Sequence, residues 1–403
     1  MRAAARRETT VTISGMRIVH VVAVLDPAKG GPPMIAAKLA AAQAGLGHDV
    51  HMVFAEDPER RTVVRASLSS IPFFDSLHMH PLPPKGLLEQ VFGMGAHKYL
   101  EPLIEKADAV HLHGVWESIL RVAGAICRRY DKPYLVLLNG MLDPWSLEQS
   151  ALKKKVALEF GYRRMLNGAA ALHLGNVDEQ ELIKPLGLTV PGVLIPNGVF
   201  PEEVDPLPEA GEFYAAHPEL AEEPYVLFLS RLHYKKGLDH LAALFALVAR
   251  EDPRVRLVVA GPDGGAQEDF ETRIREAGIS NRVHLVGPVY GRMKWAALVD
   301  SDCFCLPSRQ EGFSMAITEA LAAGVPAVIS EPCHFPEVAT ANAGFVLPLE
   351  AQRFADAILR LLRDAALRRS MGGAGRELVM TRYTWPKIAE QTINAYQAAL
   401  QKA

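Results

Sequence analysis

The hydrophobic positions of this chain fall into two repeating series separated by a break. From Met16, short β-branched runs alternate with longer segments of small and apolar residues: "MRIVHVVAVL", then the glycine-led "GGPPMIAAKLAAAQAGLG", then "HDVHMVFA". The runs "ADAVHLHG", "KPYLVLLNG", "AAALHLG" and "PGVLIPNG" continue the series. Their apolarity is continuous rather than alternating, which predicts strands covered on both faces and hence a parallel sheet. The next stretch, "VFPEEVDPLPEAGEFYAAHPELAEEP", is rich in Pro and Glu, lacks periodicity and reads as a linker or surface excursion. The alternation restarts at "YVLFLSRL" and runs through "VRLVVAGP", "VHLVGPV", "DCFCLPS", "PAVIS" and "AGFVLP". The pattern predicts an α/β protein of two doubly wound, Rossmann-like domains. Residues 1–15 are expected to be a disordered leader, 16–198 the first domain, 199–224 the linker, 225–383 the second domain, and 384–403 a helix free to pack back on the first.

Composition changes this picture little. A chain of 403 residues exceeds one ordinary core, in keeping with two domains. With 22% charged residues and a net charge of -3 there is no basic stripe for nucleic acid. Four cysteines without CxxC spacing indicate neither a disulfide framework nor a zinc site, and Cys303 and Cys305 read as two thiols on one face of a buried strand. The leader is polar and basic without the apolar stretch of a secretory signal, and no run nears the ~20 apolar residues of a membrane span. A cytoplasmic location is expected, with peripheral contact at the inner face of the cell membrane left open.

Ligands of open α/β sheets bind beyond the carboxyl ends of the strands, so chemistry is sought in the loops that follow them. In "SRQEGFSMAITEALAAGVPAV", Gly312, Phe313 and Ser314 are expected at a helix amino end, where free N–H groups and the dipole attract an anion. Glu311 precedes that helix and Glu319 lies about two turns in. Spacing alone leaves Glu319 open as an ordinary exposed helix residue. In "SRLHYKKGLDH", Arg231 and Lys236 flank a strand-to-helix loop and suit a diphosphate, or else form a solvated basic turn. The pair Gly30 and Gly31 in "DPAKGGPPM" lets backbone approach a phosphate, without a GxGxxG or P-loop fingerprint. In "AVHLHGVWES", His111 and His113 end a strand, with His113 expected to point into the loop region. No carboxylate or cysteine stands at metal-like spacing, so no metal is expected. A neutral His113 could bond a sugar hydroxyl or handle a proton, or be a buried, satisfied side chain. Finally, residues 145–166 combine Leu152, Val156 and Phe160 with Lys153–Lys155, Arg163 and Arg164. That pattern fits docking on an anionic membrane, or a core-packed helix with a basic outer face.

Together these segments resemble the retaining glycosyltransferases of family 4, which have the GT-B fold, two such domains facing a central cleft. The likeness runs from Met16 onward through "GG", "GLGHDVHMV", "HLHG", "IPNGV", "SRLHYKKG", "VVAGP" and "EGFSMAITEALAAGVPAV". Its most specific part is the pair of glutamates separated by seven residues. The resemblance implies that Glu319 accepts hydrogen bonds from the nucleotide ribose and Glu311 contacts the donor sugar near its reacting carbon. It also implies that Arg231 and Lys236 hold the diphosphate with the N–H groups of Gly312, Phe313 and Ser314. Gly30 and Gly31 would approach from the other domain, and His113 would lie near the transferred sugar. The catalytic set so implied is His113, Glu311, Arg231 and Lys236. One departure is Asn139 in "LNGMLDPW", where relatives commonly carry histidine; an amide can orient a ligand but cannot shuttle a proton. The activity implied is transfer of a hexosyl group, with retention and without metal or cofactor, from a UDP- or GDP-sugar to a hydroxyl of a glycan or lipid-linked acceptor in cell-surface polysaccharide synthesis. A nucleotide-sugar epimerase and a catalytically silent sugar-nucleotide-binding protein are the alternatives. The hinges of cleft closure are expected after Asn197 and near Trp385.

Overall fold

The computed structural model describes residues 15–83, 94–148, 151–220 and 223–402; the expected leader, apart from Gly15, lies outside them. The first seven strands are β1 (Arg17–Val24), β2 (Asp49–Ala55), β3 (His78–Leu82), β4 (Ala109–His113), β5 (Tyr134–Leu137), β6 (Ala171–Leu174) and β7 (Gly192–Leu194). They form one parallel sheet in the order β3-β2-β1-β4-β5-β6-β7. The remaining six are β8 (Tyr225–Leu229), β9 (Arg256–Ala260), β10 (Val283–Gly287), β11 (Cys303–Leu306), β12 (Ala327–Ser330) and β13 (Gly344–Leu347). These make a second parallel sheet in the order β10-β9-β8-β11-β12-β13. In each sheet the chain reverses its direction of travel beside its first strand, between β1 and β4 and between β8 and β11. Those are the switch points where such sheets open a crevice. The loops after β1, β8 and β11 carry Gly30, Arg231 and Glu311, and His113 is the last residue of β4, so both crevices are furnished.

Every residue of β4, β5, β8, β11 and β12 is buried, which is why those strands read as unbroken apolar runs. Cys303, Phe304 and Cys305 are all fully buried, so both faces of β11 are covered. The edge strand β3, "HMHPL", is partly exposed and carries two histidines and a proline, which hides it from an apolarity criterion.

The segment 199–224 is not a linker. Val199, Val204, Phe213 and Leu220 are fully buried in the core of the second domain. The Asp300 carboxylate accepts hydrogen bonds from the N–H groups of Gly211 at 2.6 Å and Phe213 at 2.8 Å. Four apolar anchors spread among prolines and glutamates have no period, yet burying each large one stabilises by roughly 1.5–3 kcal/mol.

The C-terminal helix Trp385–Leu400 returns to the first domain. Trp385, Ile388 and Ala389 join a core cluster with the helix Gly31–Gly45. Gln43 donates to Thr392 at 2.8 Å and to Tyr396 at 3.3 Å. The chain thus passes between domains twice, and the two passages lie side by side. Val199 N–H donates to Tyr383 O and Trp385 N–H to Val199 O, both at 2.9 Å. A Cβ on Gly198 would come within 2.8–2.9 Å of the Tyr383–Trp385 backbone, so only glycine permits this approach.

Candidate active site

The loops after β8 and β11 are locked together. Gly237, with φ of +67°, closes the short turn Tyr234–Lys236, and a Cβ there would collide with the carbonyl of Pro307. Arg309 N–H donates to Lys235 O at 2.7 Å, and the Arg309 guanidinium forks onto the Asp239 carboxylate. This register brings Lys236 Nζ to 2.6 and 2.8 Å from the two carboxylate oxygens of Glu311, where Ser308 Oγ also donates at 2.6 Å. Glu311 is 8% exposed, so its charge depends on these partners.

The following helix spans Met315–Ala322, starting two residues after Phe313, with Ser314 as its cap residue in extended conformation. Glu319 on that helix is buried, and Lys294 Nζ donates to it at 2.7 Å. The exposed-helix reading therefore fails. Lys294 comes from the helix Gly291–Val299 after β10 and was not singled out from sequence. Its only signal there is a lysine directly preceding a tryptophan in an apolar helix at a strand's carboxyl end. Burial works against its charge, but the Glu319 and Glu203 carboxylates more than offset this, and its pKa ends above the ordinary lysine value.

Arg231 is exposed and does not join Lys236 on Glu311. Its guanidinium occupies the space where a Cβ on Gly30 would fall, and Gly30 has φ of +109°. Gly30 thus presents bare backbone to Arg231 across the cleft, and Gly31 opens the helix Gly31–Gly45. The domains also meet at Gly312: its carbonyl accepts from Asn176 Nδ2, and a Cβ on Gly140 would lie 3.7 Å from Gly312 Cα. The Gly140 and Gly175 N–H groups donate at 2.7 and 2.8 Å to Glu179, fixing both loops with one carboxylate. Burial raises the Glu179 pKa against the opposing pull of those two bonds.

His113 does not open into the loop region. It is 3% exposed, stacked on His111 and His20, with Nε2 at 2.8 Å from His20 Nδ1. Burial drives both His111 and His113 well below the ordinary histidine pKa, so both are neutral. One nitrogen from each of His20, His111 and His113 lies within 4.8 Å of the others, a spacing a metal could use. Those rings, however, are already engaged in hydrogen bonds with one another and with Gln43, Tyr396 and His173. Among the nine buried side-chain polar atoms without a hydrogen-bond partner in the described residues are His113 Nδ1, Asn139 Nδ2 and Gln310 Oε1. His113 is the last residue of β4, Asn139 follows β5, and Gln310 lies in the loop after β11, just before Gly312. Buried polar atoms are almost always bonded, so unpartnered ones beyond the carboxyl ends of strands suit a polar ligand.

Two cavities open beside these loops. One of about 950 Å³ is lined by Gly30, Gly31, Lys294, Glu319 and Trp385. A larger one of about 1130 Å³, lined by Trp116, Arg121, Lys154, Phe160 and Tyr162, holds none of the residues expected to bind a donor. Asp26 and Arg60 line both. They are paired to each other, and the Arg60 guanidinium holds the Asp26 pKa below its ordinary value.

At the rim of the larger cavity, Leu152, Val156 and Phe160 are 77%, 57% and 78% exposed, so the core-packed reading of this segment fails. A non-helical break at Phe160 and Gly161, the latter with φ of +102°, interrupts the helical course. The Trp145 side chain and residues 149 and 150 lie outside the described residues. No described helix is long and apolar enough to cross a membrane.

Comparison with known proteins agrees with this architecture. The sequence profile described as "Glycosyl transferase 4-like domain" matches residues 30–198, and "Glycosyl transferases group 1" matches residues 212–378. The chain is 33% identical over 209 residues to phosphatidyl-myo-inositol mannosyltransferase of Mycobacterium leprae, covering 51% of this chain and 53% of that one. It spans about half the length of several such curated relatives. Against GDP-mannose:cellobiosyl-diphosphopolyprenol alpha-mannosyltransferase of Xanthomonas campestris it is 24% identical over 400 residues, covering 96% of this chain and 97% of the other. Among solved structures, Anabaena HepE in complex with UDP-glucose superposes with a TM-score of 0.76 at 18% identity, covering 95% of this chain and all of that one. Two profiles that between them span both domains, and the paired crevices they enclose, show that the chain belongs to the family 4 glycosyltransferases of GT-B fold.

Proposed function

We propose that the protein transfers a hexosyl group from a UDP- or GDP-sugar to a hydroxyl of a glycan or lipid-linked acceptor in cell-surface polysaccharide synthesis, retaining the anomeric configuration. The observation that carries this reading is that His113 Nδ1, Asn139 Nδ2 and Gln310 Oε1, beyond the carboxyl ends of strands of both sheets, are buried without a partner among the described residues. His113 and Asn139 from one domain and Gln310 from the other offer a mixed set of donors and acceptors, which a polyhydroxylated ring would use. Glu311 would contact the sugar, and Glu319, bonded by Lys294, the ribose. Arg231, Lys236 and the amino end of the helix Met315–Ala322 would share the diphosphate. HepE, the solved neighbour, is described in complex with UDP-glucose, which supports a nucleotide sugar as donor.

The bond from the anomeric carbon to the diphosphate oxygen breaks, its electron pair leaving with the phosphate. The acceptor oxygen bonds that carbon on the same face, and its proton passes to the departing phosphate oxygen. The enzyme's task is to stabilise charge that grows on the leaving group, and preorganised cations do so without a metal. Thermal-shift measurements against UDP-, GDP- and ADP-sugars test donor binding, because a ligand of the folded state raises the melting temperature. Turnover to a glycosidic product, unchanged by EDTA, is the result expected; donor conversion without acceptor would instead indicate an epimerase.

The cavity at Trp116, Arg121, Lys154 and Phe160 is our candidate acceptor site, since it meets the donor-side cavity at Asp26 and Arg60. The exposed row Leu152, Val156 and Phe160, flanked by Lys153 and Lys155, would dock on an anionic bilayer and receive a lipid-linked acceptor. The Xanthomonas campestris relative, by its name, acts on a diphosphopolyprenol-linked acceptor. Each basic residue near such a surface contributes roughly 1 kcal/mol. Replacing Lys153, Lys154 and Lys155 by glutamine should therefore weaken binding to anionic vesicles on the order of a hundredfold in sedimentation assays, and leave neutral vesicles indifferent. Equal binding of both proteins would sink the membrane assignment.

A further inference from the structure

Four buried histidines on strands of the first sheet are linked, with Gln43 and Tyr396, by a chain of hydrogen bonds whose direction follows from its ends. His173 Nε2 lies 2.7 Å from the carbonyl oxygen of Ile195, which can only accept, so Nε2 carries the proton. His173 is neutral, burial holding its pKa down to about 4, and its Nδ1 must then accept from His111 Nε2 at 3.2 Å. His111 Nδ1 in turn accepts from the Tyr396 hydroxyl at 2.6 Å. A second fixed end lies on the C-terminal helix, where the Thr392 hydroxyl donates to Ala389 O at 2.7 Å. Both Thr392 and Tyr396 have thus committed their protons, so the group of Gln43 facing them must be its NH₂. The Gln43 carbonyl oxygen is left for His20, whose Nε2 donates to it at 2.7 Å. His20, also held down to about 4 by burial, has only a lone pair on Nδ1, and His113 Nε2 donates to it at 2.8 Å. The neutral His113 ring therefore has a bare lone pair on Nδ1, the atom left without a partner.

We propose that His113 meets the transferred sugar solely as a hydrogen-bond acceptor, taking one donor hydroxyl on Nδ1, and that His20 and Gln43 are positioning residues that hold it in this tautomer. This rests on the functional reading above, and it assigns the histidine a role that excludes proton donation to the reacting oxygens. The polarity of the active-site ring is set on the same face of the sheet, by a glutamine clamped against the C-terminal helix. Tyr396 also accepts from the Gln43 amide, but the shorter bond to Thr392 fixes that amide on its own, and His173 bonds His111 rather than His113.

The test uses the intact chain labelled with ¹⁵N-histidine. In the absence of donor, the His113 signals should show a protonated Nε2 and an unprotonated Nδ1, with assignment by the His113→Asn variant. Saturating nucleotide sugar should move the Nδ1 signal in the direction of an accepted hydrogen bond. A His113 ring protonated on Nδ1 overturns the proposal, as does an Nδ1 signal that stays still while the melting temperature shows the donor bound. If no nucleotide sugar shifts the melting temperature, the functional reading fails while the tautomer is still decided by the free protein. Gln43→Leu should blur the single tautomer and lower kcat roughly tenfold with KM for the donor nearly unchanged, the loss of about one hydrogen bond. Tyr396→Phe should leave the His113 signals in place. Wild-type kcat in a folded Gln43→Leu variant would also refute the positioning role.

Discussion

Lys236→Ala should lower turnover by roughly 10²–10³ while the protein still folds, because preorganised charge at a leaving group contributes that much to the rate. Lys236 is half-buried and bonds both oxygens of Glu311. A diphosphate entering beside it would find a cation already oriented, with no side chain left to order. Alanine removes that charge and also leaves Glu311 buried with Ser308 as its remaining side-chain partner. A loss of stability of about 1–3 kcal/mol is expected alongside the kinetic effect. Paired measurements of kcat and melting temperature separate the two. Arg231→Ala should show the kinetic loss with little change in stability, since Arg231 is exposed. Turnover near wild type in both variants would refute the diphosphate assignment.

The second large effect is a collapse of stability on mild acidification. His20 and His173 are fully buried and have pKa values near 4 against an ordinary 6.5. Between those values the unfolded chain binds protons that the folded chain refuses, so stability rises with pH across this window and falls as pH drops through it. Above about pH 7 the two states bind alike and these residues contribute no slope. Each unit of depression is worth about 1.4 kcal/mol, so two such residues together remove roughly 5 kcal/mol or more by pH 4. That is comparable with the whole stability of an ordinary domain. Thermal denaturation followed from pH 7.5 to pH 4.5 should show a steep fall in melting temperature below about pH 6.5. A flat profile would mean that the histidines are not buried as described.

Much of the fold was legible in the sequence because strands covered on both faces are continuous apolar runs; every such run named at the outset became a strand. What escaped did so for identifiable reasons. The strand His78–Leu82 is an edge, and His78, His80 and Pro81 break its apolarity. The segment 199–224 buries Phe213 and Leu220 without a period, so composition marked it as linker when packing makes it core. At the candidate site, Glu311 and Lys236 stood out because their types and spacing are those of the family motif. Lys294 did not, since its pairing with Glu319 joins two helices of different strand-to-helix units and leaves no local trace. The expected orientation of His113 failed for a similar reason: the partners that bury it, His20 and Gln43, are distant in sequence.

The double passage at Val199 and Tyr383–Trp385 has a mechanical consequence. A single connecting strand would let one domain swivel freely against the other. Two strands bonded flat against each other behave as a strip, stiff to torsion and to shear but pliant to bending across its width. Under the function proposed above, opening and closing would be confined to one rotational axis, and the residues proposed to meet around the sugar would return to the same alignment at each cycle.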